Sequence, residues 1–148
     1  MSLKEQLTND MKEAMKAHDK DRLAVIRMVR GAVRQQEIDS RKELGDEDVL
    51  AVLSKEVKMR RDSIEEFRKG GREDLVEKTE AEIAVLMPYL PAQLSEEEIR
   101  GLVQAAVAQT GAASPKDMGK VMGVLMPKVK GRADGKTVNA IVRSMLTD

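Results

Sequence analysis

Cysteine and aromatic residues are almost missing from this 148-residue chain, which has no cysteine, no tryptophan, one tyrosine, one phenylalanine and one histidine. Without cysteine, disulfides and thiolate chemistry are excluded. The lone His18 does not support a histidine-based metal site or a serine-histidine-aspartate triad, and we interpret it as a surface turn residue. The chain also lacks aromatic side chains in the number that a stacking platform for unpaired bases requires.

Motifs of phosphate-binding and hydrolytic enzymes are absent as well. Neither a G-x-x-x-x-G-K-S/T loop nor a G-x-S-x-G turn occurs, and the lysine after Gly119 lacks a preceding strand and the glycine spacing. Carboxylates are plentiful, as at Glu65 and Glu66, but they fall on charged helix faces where solvated ion pairing is the ordinary outcome. We therefore expect no catalytic residues, no metal, no cofactor and no enzyme activity of the chain by itself.

Long apolar runs and an excess of one charge are missing too. No window approaches 18 apolar residues, and the amino terminus has no hydrophobic signal core, so we expect a cytoplasmic protein with no membrane contact. The 26 basic and 26 acidic residues balance, with a sequence pI of about 6.6. This balance argues against strong non-specific nucleic-acid binding, and no DNA partner is expected.

The residues that are present favour helices. Charged residues make up 35% of the chain, and apolar residues recur three and four apart, which predicts an all-α protein. Pro88 and Pro91 forbid a continuous helix between them. We predict an antiparallel four-helix amino-terminal domain (residues 1–90), a linker (88–94) and a small three-helix tail domain (95–148).

Local signals also predict where these helices begin and end. The second helix is expected to run to about Glu43, before a glycine. Polar residues that precede apolar periodic segments predict the amino-terminal caps, at Ser2, Asp19 or Asp21, Asp46, Ser95, Ser114 and Asp134.

Two of the predicted helices carry arginines that need an explanation. Arg60 stands where the third helix needs an apolar residue, and we expect it to pair with Glu56 one turn earlier or with an acidic residue of a neighbouring helix. The second helix carries an arginine stripe, formed by Arg27, Arg30, Arg34 and Arg41. This stripe is either a solvated face or an RNA contact.

Positive charge and glycine are concentrated in one stretch, Ser114 to Leu146. Between Lys116 and Arg143 the sequence has seven basic and two acidic residues. Its first helix places an apolar face opposite a polar one that holds Lys120 and Gly123, with Gly119 at the edge. The two glycines either let another part of the same chain pack closely or leave backbone open to a partner, including a phosphate.

Three motifs carry a resemblance to a known family. They are DMGKVMGVLMPKVKGRADGKTVN (117–139), YLPAQLSEEEI (89–99) and FRKGGREDL (67–75). Together they resemble the YqeY family of small bacterial proteins over the whole chain. The tail is also similar to the carboxyl-terminal domain of GatB, a subunit of the tRNA-dependent amidotransferase, which converts Glu or Asp misacylated on tRNA to Gln or Asn.

This resemblance implies a tail that engages the body of tRNA. The positions that match the tail motif are Gly119, Lys120, Gly123, Lys128, Lys130, Gly131, Arg132 and Asn139. Three further exposed positions, predicted from charge, complete the expected RNA-binding set, namely Lys116, Lys136 and Arg143. The chain lacks the GatB catalytic domain, so glutamine-dependent carbon–nitrogen ligase activity is not expected of it alone.

Two hypotheses about function follow. In the first, the chain is a non-catalytic tRNA-binding module, an accessory of tRNA amidation or translation that works with an amidotransferase or another translation protein. In the second, it is a protein-interaction module with no RNA role, whose glycine face and methionines receive a partner helix. A contiguous exposed apolar patch on the tail would favour the second. Those methionines are Met118, Met122 and Met126.

Overall fold

A computed structural model describes residues 1–147 as a chain of helices without a β-strand in that range. The predicted all-α class is confirmed. The seven α-helices are α1 (Leu3–Lys16), α2 (Lys20–Ser40), α3 (Asp46–Lys69), α4 (Glu73–Leu86), α5 (Glu96–Thr110), α6 (Met118–Val129) and α7 (Gly135–Leu146). Short 3-10 turns cover Met87–Tyr89 and Pro115–Asp117. No helix of residues 1–147 has the length and apolarity to cross a bilayer.

The helices form two compact units, an amino-terminal unit of residues 1–90 and a carboxyl-terminal unit that begins at Pro91. In the amino-terminal unit, α1 packs on α2, α2 packs on α3 and α4, and α3 packs on α4 along much of its length. The apolar stripes of these helices meet in one core, because residues three and four apart share a helix face. Its most deeply buried members are Leu7, Ile26, Val29, Val49, Leu53 and Leu86.

The carboxyl-terminal unit has a separate core. Helix α5 packs against both α6 and α7, and α6 contacts α7. The predicted apolar face of α6 is correct, since Val121, Leu125 and Val129 are buried. Helices α5 and α7 contribute the other buried side chains of this core, which are Ile99, Val103, Ala106, Val138, Ile141, Val142 and Leu146. Every one of these side chains is aliphatic.

Several predicted helix ends are correct. The Ser2 and Glu5 side chains form the reciprocal capping box, Asp19 accepts a hydrogen bond from Arg22 N–H, and Asp134 accepts one from Lys136 N–H. Ser95 accepts one from Glu98 N–H at 3.1 Å. His18 is an exposed turn residue with φ of 56°.

Three predicted ends are wrong. Helix α2 stops at Ser40 rather than Glu43, because Arg41 takes a left-handed conformation. The cap of α3 is Gly45, while Asp46 is the first helical residue and accepts a hydrogen bond from Leu3 N–H at 3.0 Å. Ser114 holds the cap position of a 3-10 turn rather than of α6, with Pro115 first in that turn, and its side chain makes no capping hydrogen bond. The residues after it form a 3-10 turn, and α6 starts at Met118 and continues through Pro127 to Val129.

The buried Arg60 joins α3 to α4. Its guanidinium contacts Glu56 at 2.7 Å and Glu82 at 2.9 Å, which confirms both predicted kinds of partner. The Arg60 side chain is 8% exposed, and those of the two carboxylates are 12% and 25% exposed. One cation therefore holds two carboxylates in a place with little water.

Tyr89 ties the end of the amino-terminal unit to α1. Its hydroxyl donates a hydrogen bond to the carboxylate of Asp10, which also lies 3.9 Å from Arg22. Burial, followed by this hydrogen bond and the charge of Asp10, raises the pKa of Tyr89 well above its ordinary value of 10.0. The neutral phenol is the form that the fold stabilises.

Replacing Arg60 by alanine tests the buried ion pairs. We expect Arg60→Ala to lower the free energy of unfolding by about 3 kcal/mol or more, because Glu56 and Glu82 keep their burial and lose their cation. Urea unfolding measures the change. The control is Arg68→Ala, since Arg68 pairs with Glu80 between the same two helices but with side chains 58% and 53% exposed. If both variants lose the same free energy of unfolding, burial is not what makes the Arg60 ion pairs important for stability.

Titration of the single tyrosine tests the contact with Asp10. In the folded protein the phenolate absorbance should develop above the ordinary pKa of about 10, and Asp10→Asn should move it back toward that value. Because the pKa is raised by folding, this contribution to stability is complete below about pH 10 and is lost as the pH rises through the pKa of the folded state. The urea-unfolded chain is the reference. Identical titrations of the folded and unfolded protein would disprove the contact.

Candidate nucleic-acid interface

The predicted RNA-binding residues lie mostly on the surface of the carboxyl-terminal unit. Nine of the eleven are exposed, namely Lys116, Gly119, Lys120, Gly123, Lys128, Lys130, Lys136, Asn139 and Arg143. Gly131 and Arg132 are half-buried. The positions fall in three places, the polar face of α6 with the turn before it, the loop between α6 and α7, and the outer face of α7.

The α6–α7 loop is held by the chain that enters the carboxyl-terminal unit. Arg132 Nε donates to the Ala92 carbonyl at 3.2 Å, and Leu94 N–H donates to the Arg132 carbonyl at 2.8 Å. The Gln93 amide donates to the Gly131 carbonyl at 3.0 Å. The motifs KGRAD and YLPAQL, which are about 40 residues apart, are therefore hydrogen-bonded partners.

These contacts give Arg132 a different task from that of an exposed lysine. Its guanidinium is partly committed to Ala92, so Arg132 positions the loop. Sequence reasoning missed Gln93, which is half-buried and anchors Gly131. The one sequence signal for these hydrogen bonds was that the chain contains both KGRAD and YLPAQL. Gly131 adopts φ of 77°, a left-handed conformation that suits glycine.

The two helical glycines of α6 face open space. A Cβ atom built on Gly119 or Gly123 would meet no neighbouring atom within 4 Å. Close packing by another part of the carboxyl-terminal unit is therefore excluded as an explanation for these glycines. Pro127 lies one turn after Gly123 and has no N–H, so the usual donor to the Gly123 carbonyl is missing at this exposed place.

The cations near these glycines differ in their partners. Lys120 lies 3.9 Å from Asp117, whose other oxygen accepts a hydrogen bond from Ala113 N–H. Lys128 is five residues beyond Gly123, about 140° around the helix, and so lies off the glycine face. Within residues 1–147, no carboxylate is within 4 Å of four of the predicted cations, namely Lys116, Lys128, Lys130 and Arg143.

The methionines of α6 split between core and surface. Met118 and Met122 pack against the buried core of the carboxyl-terminal unit, whereas Met126 is 39% exposed. Among residues 91–147, Met126 alone is a large apolar side chain in the exposed class. No second exposed large apolar side chain accompanies it in that range. Residues 1–147 also contain no group of three or more His, Asp or Glu side chains arranged for a metal ion.

Comparison of the sequence with known proteins identifies relatives of the chain. A family described as Yqey-like protein matches residues 4–146. The chain is 35% identical over 130 residues to "Altered inheritance of mitochondria protein 41, mitochondrial" of Pyrenophora tritici-repentis, covering 86% of this chain and 71% of that protein. It is 37% identical over 135 residues to the protein of that name from Kluyveromyces lactis, covering 89% and 69%.

Alanine substitutions separate the glycines that the fold requires from those that it does not. We expect Gly123→Ala to raise the free energy of unfolding by about 1 kcal/mol, because an alanine stabilises a helix interior and its Cβ meets nothing. Gly119→Ala should act in the same direction. Gly131→Ala should lower it by about 1 to 2 kcal/mol because of the left-handed backbone, and Gly131→Asn by less. Urea unfolding measures each change, and destabilisation by Gly123→Ala would mean that its face is covered.

Proposed function

This chain belongs to the YqeY family, and we propose that it is a non-catalytic tRNA-binding module whose carboxyl-terminal unit contacts the phosphates of the RNA. The observation that carries the proposal is the group of cations without carboxylate partners, Lys116, Lys128, Lys130 and Arg143. Their charge is not neutralised within the described chain. Phosphate oxygens are natural partners for such side chains.

The open backbone of α6 supports the same proposal. Between the lysines, Gly119 and Gly123 present main chain without a side chain. A partner's sugar–phosphate backbone can approach such a surface more closely than a surface of larger side chains. The Gly123 carbonyl, which lacks its usual donor, is an acceptor suited to a ribose 2′-hydroxyl, the group that distinguishes RNA from DNA.

The kind of RNA follows from the scarcity of aromatic residues. Unpaired bases are usually held by stacking on aromatic rings, but this chain has only Phe67 and Tyr89, and both belong to the amino-terminal unit. Contacts must therefore go to phosphates, sugar hydroxyls and shape. A folded RNA such as tRNA offers these over a broad surface.

The relation to the amidotransferase is part of the proposal. The tail's likeness to GatB suggests an accessory of tRNA amidation or of translation, working with an amidotransferase or another translation protein. Carbon–nitrogen ligase activity would then be a label inherited through the shared tail rather than chemistry of this chain. We also propose a cytoplasmic location, which differs from the mitochondrial one in the names of the two relatives.

The domain organisation belongs to the same proposal. We infer that residues 1–90 and 95–148 are a four-helix and a three-helix domain, with residues 88–94 as their connection. The separate aliphatic cores support this division. The protein-interaction alternative is less well supported, because a docked helix needs an apolar surface and Met126 is the one large apolar side chain of residues 91–147 that is exposed.

Salt-dependent binding tests the proposed function. We expect bulk tRNA to bind with an affinity that falls between about 50 and 200 mM salt, with a slope of log K against log salt of roughly −2 to −4. Lys116→Gln/Lys130→Gln should weaken binding and reduce the slope by about 2. Fluorescence anisotropy gives both quantities.

The control for this experiment changes the same number of charges elsewhere. Lys58→Gln/Lys78→Gln removes two exposed lysines of α3 and α4 in the amino-terminal unit and should leave the slope unchanged. Absence of binding at tens of micromolar protein, roughly −6 kcal/mol, would refute the RNA function of the chain. Equal losses in both double variants would refute the assignment to the carboxyl-terminal unit.

A further inference from the structure

The amino-terminal unit contains a groove between α1 and α2 that the proposed RNA surface does not use. Its volume is about 360 Å³, within the range of roughly 300 to 1,000 Å³ that is usual for small-ligand sites. Leu7 and Val33 contribute apolar walls, and Lys4 and Thr8 lie on the α1 side. We call it the arginine groove, because three arginines of α2 line it, Arg27, Arg30 and Arg34.

The three arginines have no anionic partner in residues 1–147. No carboxylate lies within 4 Å of Arg27, Arg30 or Arg34. Arg30 is half-buried, and within residues 1–147 the one hydrogen bond of its guanidinium goes from Nη1 to the sulfur of Met11 at 2.9 Å. A thioether is a weak acceptor, whereas a guanidinium has five donors. Most of the guanidinium donors in the groove therefore have no partner within residues 1–147.

The one carboxylate that lines the groove is already engaged. Glu37 accepts hydrogen bonds from Lys4 Nζ at 2.7 Å and from Leu44 N–H at 2.8 Å. These contacts, that with Lys4 first, lower the pKa of Glu37 below its ordinary value. Lys4 also contacts Glu43 at 3.2 Å. Glu37 and Glu43 together carry one charge more than Lys4, so with the three arginines the net charge at the groove is positive.

The spacing on α2 directs these arginines to one place. Residues 27, 30 and 34 lie three and four apart, so their side chains leave the helix on one face. Guanidinium groups offer paired donors that match the oxygens of a phosphate. Gly31 lies among them on the same face, and a Cβ atom there would meet nothing within 4 Å. The groove is therefore open where a larger side chain would fill it.

The surroundings of the groove favour a compact anion over a nucleic-acid strand. Glu37 and Glu43 lie with Arg41 and Lys42 at the end of the groove toward the carboxyl terminus of α2. The charge there is mixed, so the positive surface of the groove does not continue along the path of a strand. The unit as a whole has 18 basic and 20 acidic residues. Three guanidinium groups that donate in pairs present about six N–H groups, whereas one phosphate monoester offers three acceptor oxygens, so two linked phosphates match the arginines better than one.

We propose that the arginine groove binds a small anion with two linked phosphates, such as inorganic pyrophosphate or a nucleoside diphosphate. The three guanidinium groups donate to the phosphate oxygens, and the space over Gly31 receives the anion. This site is separate from the proposed RNA surface, and neither proposal depends on the other.

Calorimetric titration with inorganic pyrophosphate and, separately, with adenosine diphosphate tests the site. We expect one saturable site per chain at about 0.1 M salt, where interactions between exposed charges are largely screened beyond ~10 Å. Sulfate at equal ionic strength should bind more weakly. If adenosine diphosphate binds more tightly than pyrophosphate, the groove also contacts the nucleoside. If the two bind equally, the groove contacts the diphosphate alone.

Two variants locate the site. Arg27→Gln/Arg34→Gln changes exposed residues without ion-pair partners and should weaken binding by about a hundredfold, since each charge-assisted hydrogen bond lost corresponds to tenfold or more. Gly31→Leu should abolish binding by filling the groove and should raise the resistance to urea, because leucine favours a helix more than glycine does. Loss of binding with a gain in stability cannot arise from unfolding.

Other variants and ligands define the outcomes that overturn the proposal. Lys58→Gln/Lys78→Gln has the same charge change as the arginine double variant and should bind the diphosphates normally, as should Lys116→Gln/Lys130→Gln. The proposal is wrong if pyrophosphate gives no saturable binding at roughly 1 mM, about −4 kcal/mol. It is also wrong if citrate binds as well as pyrophosphate, if Gly31→Leu binds normally, or if tRNA binding rather than diphosphate binding is lost in Arg27→Gln/Arg34→Gln.

Discussion

Aliphatic packing in two separate small cores is the constraint on which the structure depends. Without tryptophan and with one residue each of phenylalanine and tyrosine, the chain must gain its stability from valine, leucine, isoleucine and alanine on amphipathic helices. The carboxyl-terminal unit has fewer than 60 residues, a size at which little apolar surface is buried per residue. Each departure from a good helical sequence is therefore a large fraction of its stability.

This constraint gives meaning to the exposed residues of α6. Gly119, Gly123 and Pro127 are poor helix formers, and the two glycines allow no close approach of another part of the carboxyl-terminal unit. A small unit with an aliphatic core has little stability to spare for such residues. Their presence on a face that also holds Lys120 is better explained by what the open backbone can contact than by folding. The same reasoning applies to Gly31 in α2, which leaves open space beside three arginines.

The sequence predicted what depends on local spacing and failed where distant residues decide. The apolar face of α6 was predictable because Val121, Leu125 and Val129 follow the helical period. The cap of α3 was not, since Asp46 is engaged by Leu3, 43 residues away. For Arg60, a nearby partner followed from the spacing to Glu56, and the structure was needed to identify Glu82.

Exposure in the candidate site was likewise predictable, but its organisation was not. Helical phase identified Lys120 and Gly123 as surface residues. The loop between α6 and α7 depends instead on Ala92, Gln93 and Leu94, and the hydrogen bonds to them cross about 40 residues of sequence. They reassign Arg132 from an exposed cation to a residue that positions the loop. Periodicity predicts which side of a helix a residue occupies. Whether its charge is free to contact a partner depends on the hydrogen bonds and ion pairs that it makes with distant parts of the chain.

The two sets of available cations differ in chemistry as well as in place. Most of those in the carboxyl-terminal unit are lysines, whose compact charges on flexible stems suit the many equivalent phosphates of a broad RNA surface. Those in the amino-terminal groove are arginines, whose planar groups bind phosphate oxygens in pairs and favour one well-placed anion. A net charge of zero for the whole chain conceals both sets, because carboxylates elsewhere balance them. The position of each carboxylate, more than the total charge, therefore determines which anion this protein can hold.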